Sequence, residues 1–268
     1  ATAAQPIASL SMAERVWIVG AIHGDIGGLE SLHTQLMEKL EIGDQLIYCG
    51  NMIGYLPNTL LVIENILAFR RWFLARPPLA HPQDIILLHG HQEEMLIKLL
   101  IIHRAPDLPK LVRFMQERGI AAMIRGFGGD DVSFLRAAQQ GSQAMEEWAR
   151  GFRRIFKHKS AHIAPFLTHM YFAARTPRDR MLIVSSGLSP HCDLAEQSDH
   201  FWWDVAGLQD MFAPYKNFTR IISGYSANGF GIRDEGFKLY LDGGAGRGGS
   251  VLAAALDRDG TVIEWLEG

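Results

Sequence analysis

The sequence predicts an α/β layered fold, and three observations predict it. In roughly the first hundred residues a short apolar run, a glycine-bearing loop and an amphipathic helix follow one another repeatedly. The middle of the chain is helical, and the last third turns back to β. The candidate strands end in small polar or glycine loops, the edge at which open α/β folds gather their sites.

Residues 16–20 are apolar and end in Gly20, as a buried strand does. Residues 27–40 set Leu29, Leu32, Leu36, Met37 and Leu40 at helical spacing, with Gly43-Asp44 after them. Residues 45–49 are a second strand, ending in Gly50. Residues 58–74 form an amphipathic helix stopped by Pro77-Pro78. Residues 84–88 are a third strand, ending at His89-Gly90, and 93–103 are helical. From about 104 to 172 the chain is mostly helical, broken at Pro106, Pro109 and Gly126-Phe127-Gly128-Gly129. Asp130 or Asp131 caps the helix that follows. Residues 180–184, 220–223, 238–241, 251–257 and 261–265 are strands, the last two a hairpin around Gly260. Residues 1–15 read as a loose arm, with Met12 a candidate native start. Residues 16–268 read as one domain with a helical insert at about 104–172.

The chain has 268 residues, long enough to bury a sizeable core. Hydrophobic residues make up 48% and charged residues 21%, which excludes a disordered chain. The formal charge of −3 gives no electrostatic footprint for nucleic acid. Two cysteines, Cys49 and Cys192, exclude a disulfide scaffold and suit a reducing compartment, so a cytoplasmic protein is expected. No apolar run reaches the roughly 18–20 residues of a membrane helix. The start lacks the basic and apolar regions of a signal peptide.

The strand-end loops carry the chemistry. They read Gly20-Ala21-Ile22-His23-Gly24, then Gly50-Asn51-Met52-Ile53-Gly54-Tyr55 running on to Pro57, then Gly90-His91-Gln92-Glu93. Ser185-Ser186-Gly187-Leu188, Gly224-Tyr225-Ser226 and Leu241-Asp242-Gly243-Gly244-Ala245-Gly246-Arg247-Gly248-Gly249 follow. In order and spacing these blocks resemble the calcineurin-like metallophosphoesterases. The closest branch is that of bacterial and phage serine/threonine phosphatases and symmetrical dinucleoside-tetraphosphate hydrolases, with its blocks GDxHG, GDxxDRGP, GNHE, HAG, GHT and DTGAxxGG. The stretch from Gly126 to Asp130 is similar to the family's glycine-rich segment, and Pro165-Phe166-Leu167 to its LPF. The resemblance covers about residues 16–257. It implies a four-layer α/β/β/α metallophosphoesterase sandwich with a helical insert.

The resemblance also implies a centre of two divalent metals about 3.5–4 Å apart, clamping phosphate and attacking hydroxide. Carried over position by position, the first metal-binding Asp is Ala21, and the His beside it survives as His23. The bridging Asp is Asn51, and the Asn of GNHE is His91. The histidines of HAG and GHT are Ser185 and Tyr225. The family's acid is Gln92, the acid's Asp partner is Gly54, and the phosphate-binding Arg is Tyr55. Only His23 is unchanged among the ligands. Two divalent ions bring about four positive charges, and no carboxylate stands at these positions. Asn51 is a neutral ligand that does not bridge two ions, Ala21 has no donor atom, and alcohols and phenols keep their protons at neutral pH.

Other readings stand beside this one. His23, His89 and His91 lie in converging loops, so a single zinc, manganese or iron ion at His23 and His91 is an alternative to no cofactor at all. Asp25, Glu93 and Glu94 fall at helix starts and read as helix caps. Arg247 in its glycine-rich loop suggests a phosphate cradle, or a turn kept for backbone reasons. Cys49 reads as a buried structural thiol. Ser185-Ser186 with His91 lacks a third group to make a serine nucleophile. Phe201-Trp202-Trp203 is core or an interface. The basic run 150–159 reads as a solvated helix face, and His158, His162 and His169 as surface or inter-helix residues.

The functional expectation is a catalytically inactive phosphatase homologue that works as a binding or scaffolding protein with a protein partner. The alternatives are an altered metal-dependent phosphoric ester hydrolase, or a sensor holding phosphate or nucleotide at His23, Asn51, His91 and Arg247.

Overall fold

A computed structural model describes residues 7–11, 13–78, 80–159, 163, 166–167 and 170–268. Two sheets form its centre. One is ordered β1 (Ile7–Ser9), β5 (Ala173–Arg175), β6 (Met181–Val184), β7 (Arg220–Ser223), β9 (Lys238–Asp242), β8 (Gly231–Asp234). The other is ordered β11 (Val262–Glu267), β10 (Leu252–Leu256), β2 (Val16–Val19), β3 (Gln45–Tyr48), β4 (Ile85–Leu87).

Side chains alternate across each strand, and the alternation builds the layers. Ile18, Ile47 and Ala254 of one sheet share a buried cluster with Ile183, Ile222 and Leu241 of the other. Trp17, Val19, Leu46 and Tyr48 face the opposite way, into the main helical layer. That layer holds α1 (Ile26–Lys39), α2 (Thr59–Ala75) and α3 (His91–Leu100), with α4 (Leu108–Gln116), α5 (Ile120–Gly126), α6 (Asp131–Gln140) and α7 (Ser142–Lys159) from the middle of the chain. Met115, Ile124, Phe134, Met145 and Phe152 of these last four helices join the same core as Leu96 of α3. On the far side, Leu182, Val184 and Tyr240 pack against Phe201 and Trp202 of α8 (His200–Trp203) and Leu208 of α9 (Val205–Gln209). The order is therefore helices, sheet, sheet, short helices: the α/β/β/α sandwich of the metallophosphoesterases.

The caps expected at Asp25 and Asp130 form, while Glu94 does not cap its helix because its carboxylate is taken by His89 at 3.1 Å and Lys98 at 2.9 Å. Asp25 accepts the Gly28 amide at 3.0 Å, and Asp130 accepts that of Val132 at 3.0 Å. The loose arm is corrected in part. Ile7–Ser9 pairs in parallel with β5, and the Leu10 amide donates to the Arg175 carbonyl at 2.9 Å. The cause is alternation too short to see in the sequence: Ala8 and Leu10 are both buried between the sheets. Met12 lies outside the described residues, as do His162, Pro165 and His169. His158 is exposed on α7. Phe201 and Trp202 are buried core, and Trp203 is half-buried.

Strands β2-β3-β4 and β6-β7-β9 run parallel within their sheets. Their C-terminal loops meet at one edge of the sandwich, which is where the motif residues converge.

Candidate functional site

The backbone of the site is tightly laced. The amides of Ile22 and His23 both donate to the Asn51 carbonyl, at 3.0 and 2.8 Å. Gly24 donates to Met52 at 3.0 Å, and Ala21 to Gly224 at 2.9 Å across the two sheets. The fully buried Glu93 carboxylate accepts from Gly90, Asn51 and Met52 at 3.0, 2.8 and 2.9 Å. It thus closes its own helix start and fastens the loop after β3. The sequence reading of Glu93 as a helix cap captured only the first of these. His23, Asn51 and Tyr55 hold positive φ of 51°, 52° and 29°. Such backbone persists only where surrounding bonds over-determine it. Gly246, at φ 72°, comes so near that a Cβ there would meet the His23 Cβ at 2.8 Å, so glycine is required.

The structure brings most of the predicted residues together. Ala21 is buried and contributes no donor. The His23 ring lies 4.7 Å from Tyr55, 6.2 Å from Tyr225 and 6.0 Å from His91, centroid to centroid. Neither His23 ring nitrogen has a hydrogen-bond partner among the described residues. Asn51 is spent on both sides: its Oδ1 accepts the Gln92 amide at 3.2 Å, and its Nδ2 donates to Ser185 Oγ at 3.3 Å. Gln92 Nε2 donates to the Arg118 carbonyl at 3.0 Å. Gly54 has φ 105°, and a Cβ there would strike the Gln92 side chain.

Burial decides the charge of the two histidines. It holds His23 well below its ordinary range, with His91 and Arg247 pushing the same way and the Ile53 backbone offsetting a little. It holds His91 down to about 3, with Arg118 and Arg247 adding. Both rings are neutral at pH 7.

Arg247 is not a free cation. Its Nη2 donates to both oxygens of the fully buried Asp242, at 2.7 and 2.6 Å, and its guanidinium lies 4.9 Å over the Tyr225 ring. Asp242 also accepts the amides of Ser226 and Gly244 at 2.9 and 3.0 Å. Sequence reading did not assign Asp242 a role. Its signal was the position just before the glycine-rich loop.

His89 does not join the set. It pairs with Glu94 at 3.1 Å and packs against Trp202, ring centroids 4.7 Å apart. Ser185 Oγ bonds to Asn51 rather than to a base, so no nucleophile arrangement forms. Burial pushes the Cys49 thiol far up, leaving it inert at neutral pH.

These residues do not fit a two-cation centre. The bridging position is an amide already engaged at both ends. The remaining positions supply two neutral imidazoles, a hydroxyl, a phenol and a methyl group. Among the described residues no cluster of three or more His, Cys, Asp or Glu side chains is arranged to hold an ion.

No family model matches the sequence, and no curated protein matches it. Solved structures do match. One is the crystal structure of a protein assigned as a diadenosine tetraphosphatase, 15% identical, with 98% of each chain covered and a TM-score of 0.53. Another is a protein serine/threonine phosphatase from Saccharomyces cerevisiae, 12% identical, covering 98% of this chain and 84% of that one, with a TM-score of 0.51. At these identities the likeness is one of fold.

Proposed function

We propose that this protein of the metallophosphoesterase fold is a phosphatase homologue that no longer hydrolyses phosphate esters and works by binding, as a scaffold or partner subunit. One observation carries the reading: Asn51, at the bridging position, spends its amide on Gln92 and Ser185, and no carboxylate stands at any ligand position. Without a bound ion, water keeps a pKa near 15.7 rather than about 7, so no hydroxide forms at neutral pH. Gln92 has no titrating proton to give a leaving group. A phosphate ligand held by Arg247 is less well supported, because Asp242 already balances that charge.

The test is an assay with added manganese on a chromogenic phosphomonoester and on a dinucleoside tetraphosphate. No turnover is expected. Turnover that disappears in His23→Ala would refute the reading.

A second reading has one observation in its favour. His23 is buried with both ring nitrogens unpartnered and neutral, the state in which imidazole ligates metals, and His91 is its neighbour. On this reading the two rings hold a single zinc, manganese or iron ion. Stoichiometric metal in purified protein, lost in His91→Ala, would support it.

A further inference from the structure

Beside the site lies an apolar groove of about 490 Å³. It runs between the end of α3, the 3-10 turn Ile102–Arg104, the start of α4, and Trp203 of α8. Ile101, Leu111, Phe114 and Trp203 line it, and Ile101 is 45% exposed. Trp203 joins groove to site: its ring is 5.4 Å from Phe114 on one side and 6.0 Å from His91 on the other.

The rim is basic. Arg104 and Lys110 border the groove, as does Lys98, which is paired with Glu94 at 2.9 Å. Arg104 and Lys110 are exposed, and among the described residues neither has an ion pair. The one acid in the lining, Asp107, is already engaged, since its carboxylate accepts the Lys110 amide at 3.0 Å and caps α4. Arg153 of α7 donates to the Leu100 carbonyl at 2.8 Å, behind the groove at the end of α3. The charge of the whole chain follows the same division. Residues 104–172 carry 11 Lys plus Arg against 6 Asp plus Glu, a net of +5 in a chain whose total is −3.

We infer that this groove docks an acidic segment of a partner protein, anchored by bulky apolar side chains. The inference rests on the reading of the protein as a binder and names the chemistry of what it binds. The apolar floor takes the anchors, and aromatic floors of this kind are where interface energy concentrates. Unpaired rim cations draw in an acidic chain and disfavour a basic one. Because Trp203 lies between groove and site, an occupant packs on the ring whose other side meets His91.

The experiment selects random short peptides displayed on phage against the full chain, then measures fluorescein-labelled synthetic copies by anisotropy. The expected consensus places Asp and Glu beside Leu, Phe or Trp. Its affinity should fall with added salt, and fall at least about tenfold in the exposed double variant R104E/K110E. Ile101→Asp should weaken it as well. A consensus without acids, or an affinity indifferent to R104E/K110E, overturns the inference. So does a labelled single-stranded oligonucleotide that binds more tightly than any peptide with the same dependence, or a dimer that Ile101→Asp turns into monomer. Phosphatase turnover together with acidic-peptide binding would sink the proposed function and leave this inference standing. No turnover together with no acidic consensus would do the reverse.

Discussion

Glu93 holds the Asn51 backbone amide at 2.8 Å through one carboxylate oxygen, which takes the Gly90 amide at 3.0 Å as well. Its other oxygen takes the Met52 amide at 2.9 Å. One buried charge therefore ties the loop after β3 to the first turn of α3, and Asn51 keeps its left-handed backbone because of it.

Glu93→Ala leaves these buried amides without an acceptor, at about 1–3 kcal/mol for each group. A total loss of about 3 kcal/mol or more is expected in urea unfolding. Glu93→Gln keeps one acceptor oxygen and should lose less. An unchanged midpoint in Glu93→Ala would show that the carboxylate does not hold the loop.

Asp242 is fully buried and its partner Arg247 half-buried, so removing the arginine strands the carboxylate. Arg247→Met should cost about 1–3 kcal/mol, because both buried Asp242 oxygens lose their guanidinium donor. Adding Asp242→Asn should recover a large part of that loss. Unfolding of the two single variants and the double variant closes the cycle, and strict additivity would contradict the pairing.

His33 makes the protein acid-labile by a defined route. Its Nδ1 lies 2.6 Å from Asn65 Oδ1, its Nε2 lies 2.7 Å from the Tyr48 hydroxyl, and burial pushes it down to about 4. The folded ring stays neutral while the unfolded ring takes a proton near pH 6.5. The stability is whole above pH 6.5 and drains away as the pH falls toward 4. The loss at pH 5 is about 2 kcal/mol. His33→Gln should reduce the difference in unfolding free energy between pH 7 and pH 5 by that amount. His23 and His91 shift in the same direction and add to the slope. An unaltered slope in His33→Gln would assign the acid sensitivity elsewhere.

Much of the fold was legible in the sequence. Strands β2, β3, β4 and β10 are buried on both faces, so they stand out as apolar runs between glycines. Strands β1, β5 and β8 did not stand out. They are three or four residues long and take their form from a neighbouring strand rather than from a pattern of their own. The convergence of His23, Asn51, His91, Ser185 and Tyr225 was legible because each follows a strand of one of the two parallel sets. Partnership was not. Nothing in the order of residues says that Asp242 reaches Arg247, or that Glu93 reaches across to Asn51. Converging strand-end loops group His89 with His23 and His91, but the loop alone does not set where each ring turns. The chain turns into α3 between His89 and His91 and sends the two rings to different neighbours.

The Asn51 side chain links a loop of one sheet to Ser185, at the end of β6 in the other. That clasp is uncharged and belongs to the polypeptide itself. The two sheets are therefore clasped at this edge by a pair of neutral side chains, so acid or salt that loosens ion pairs elsewhere leaves this fastening unchanged.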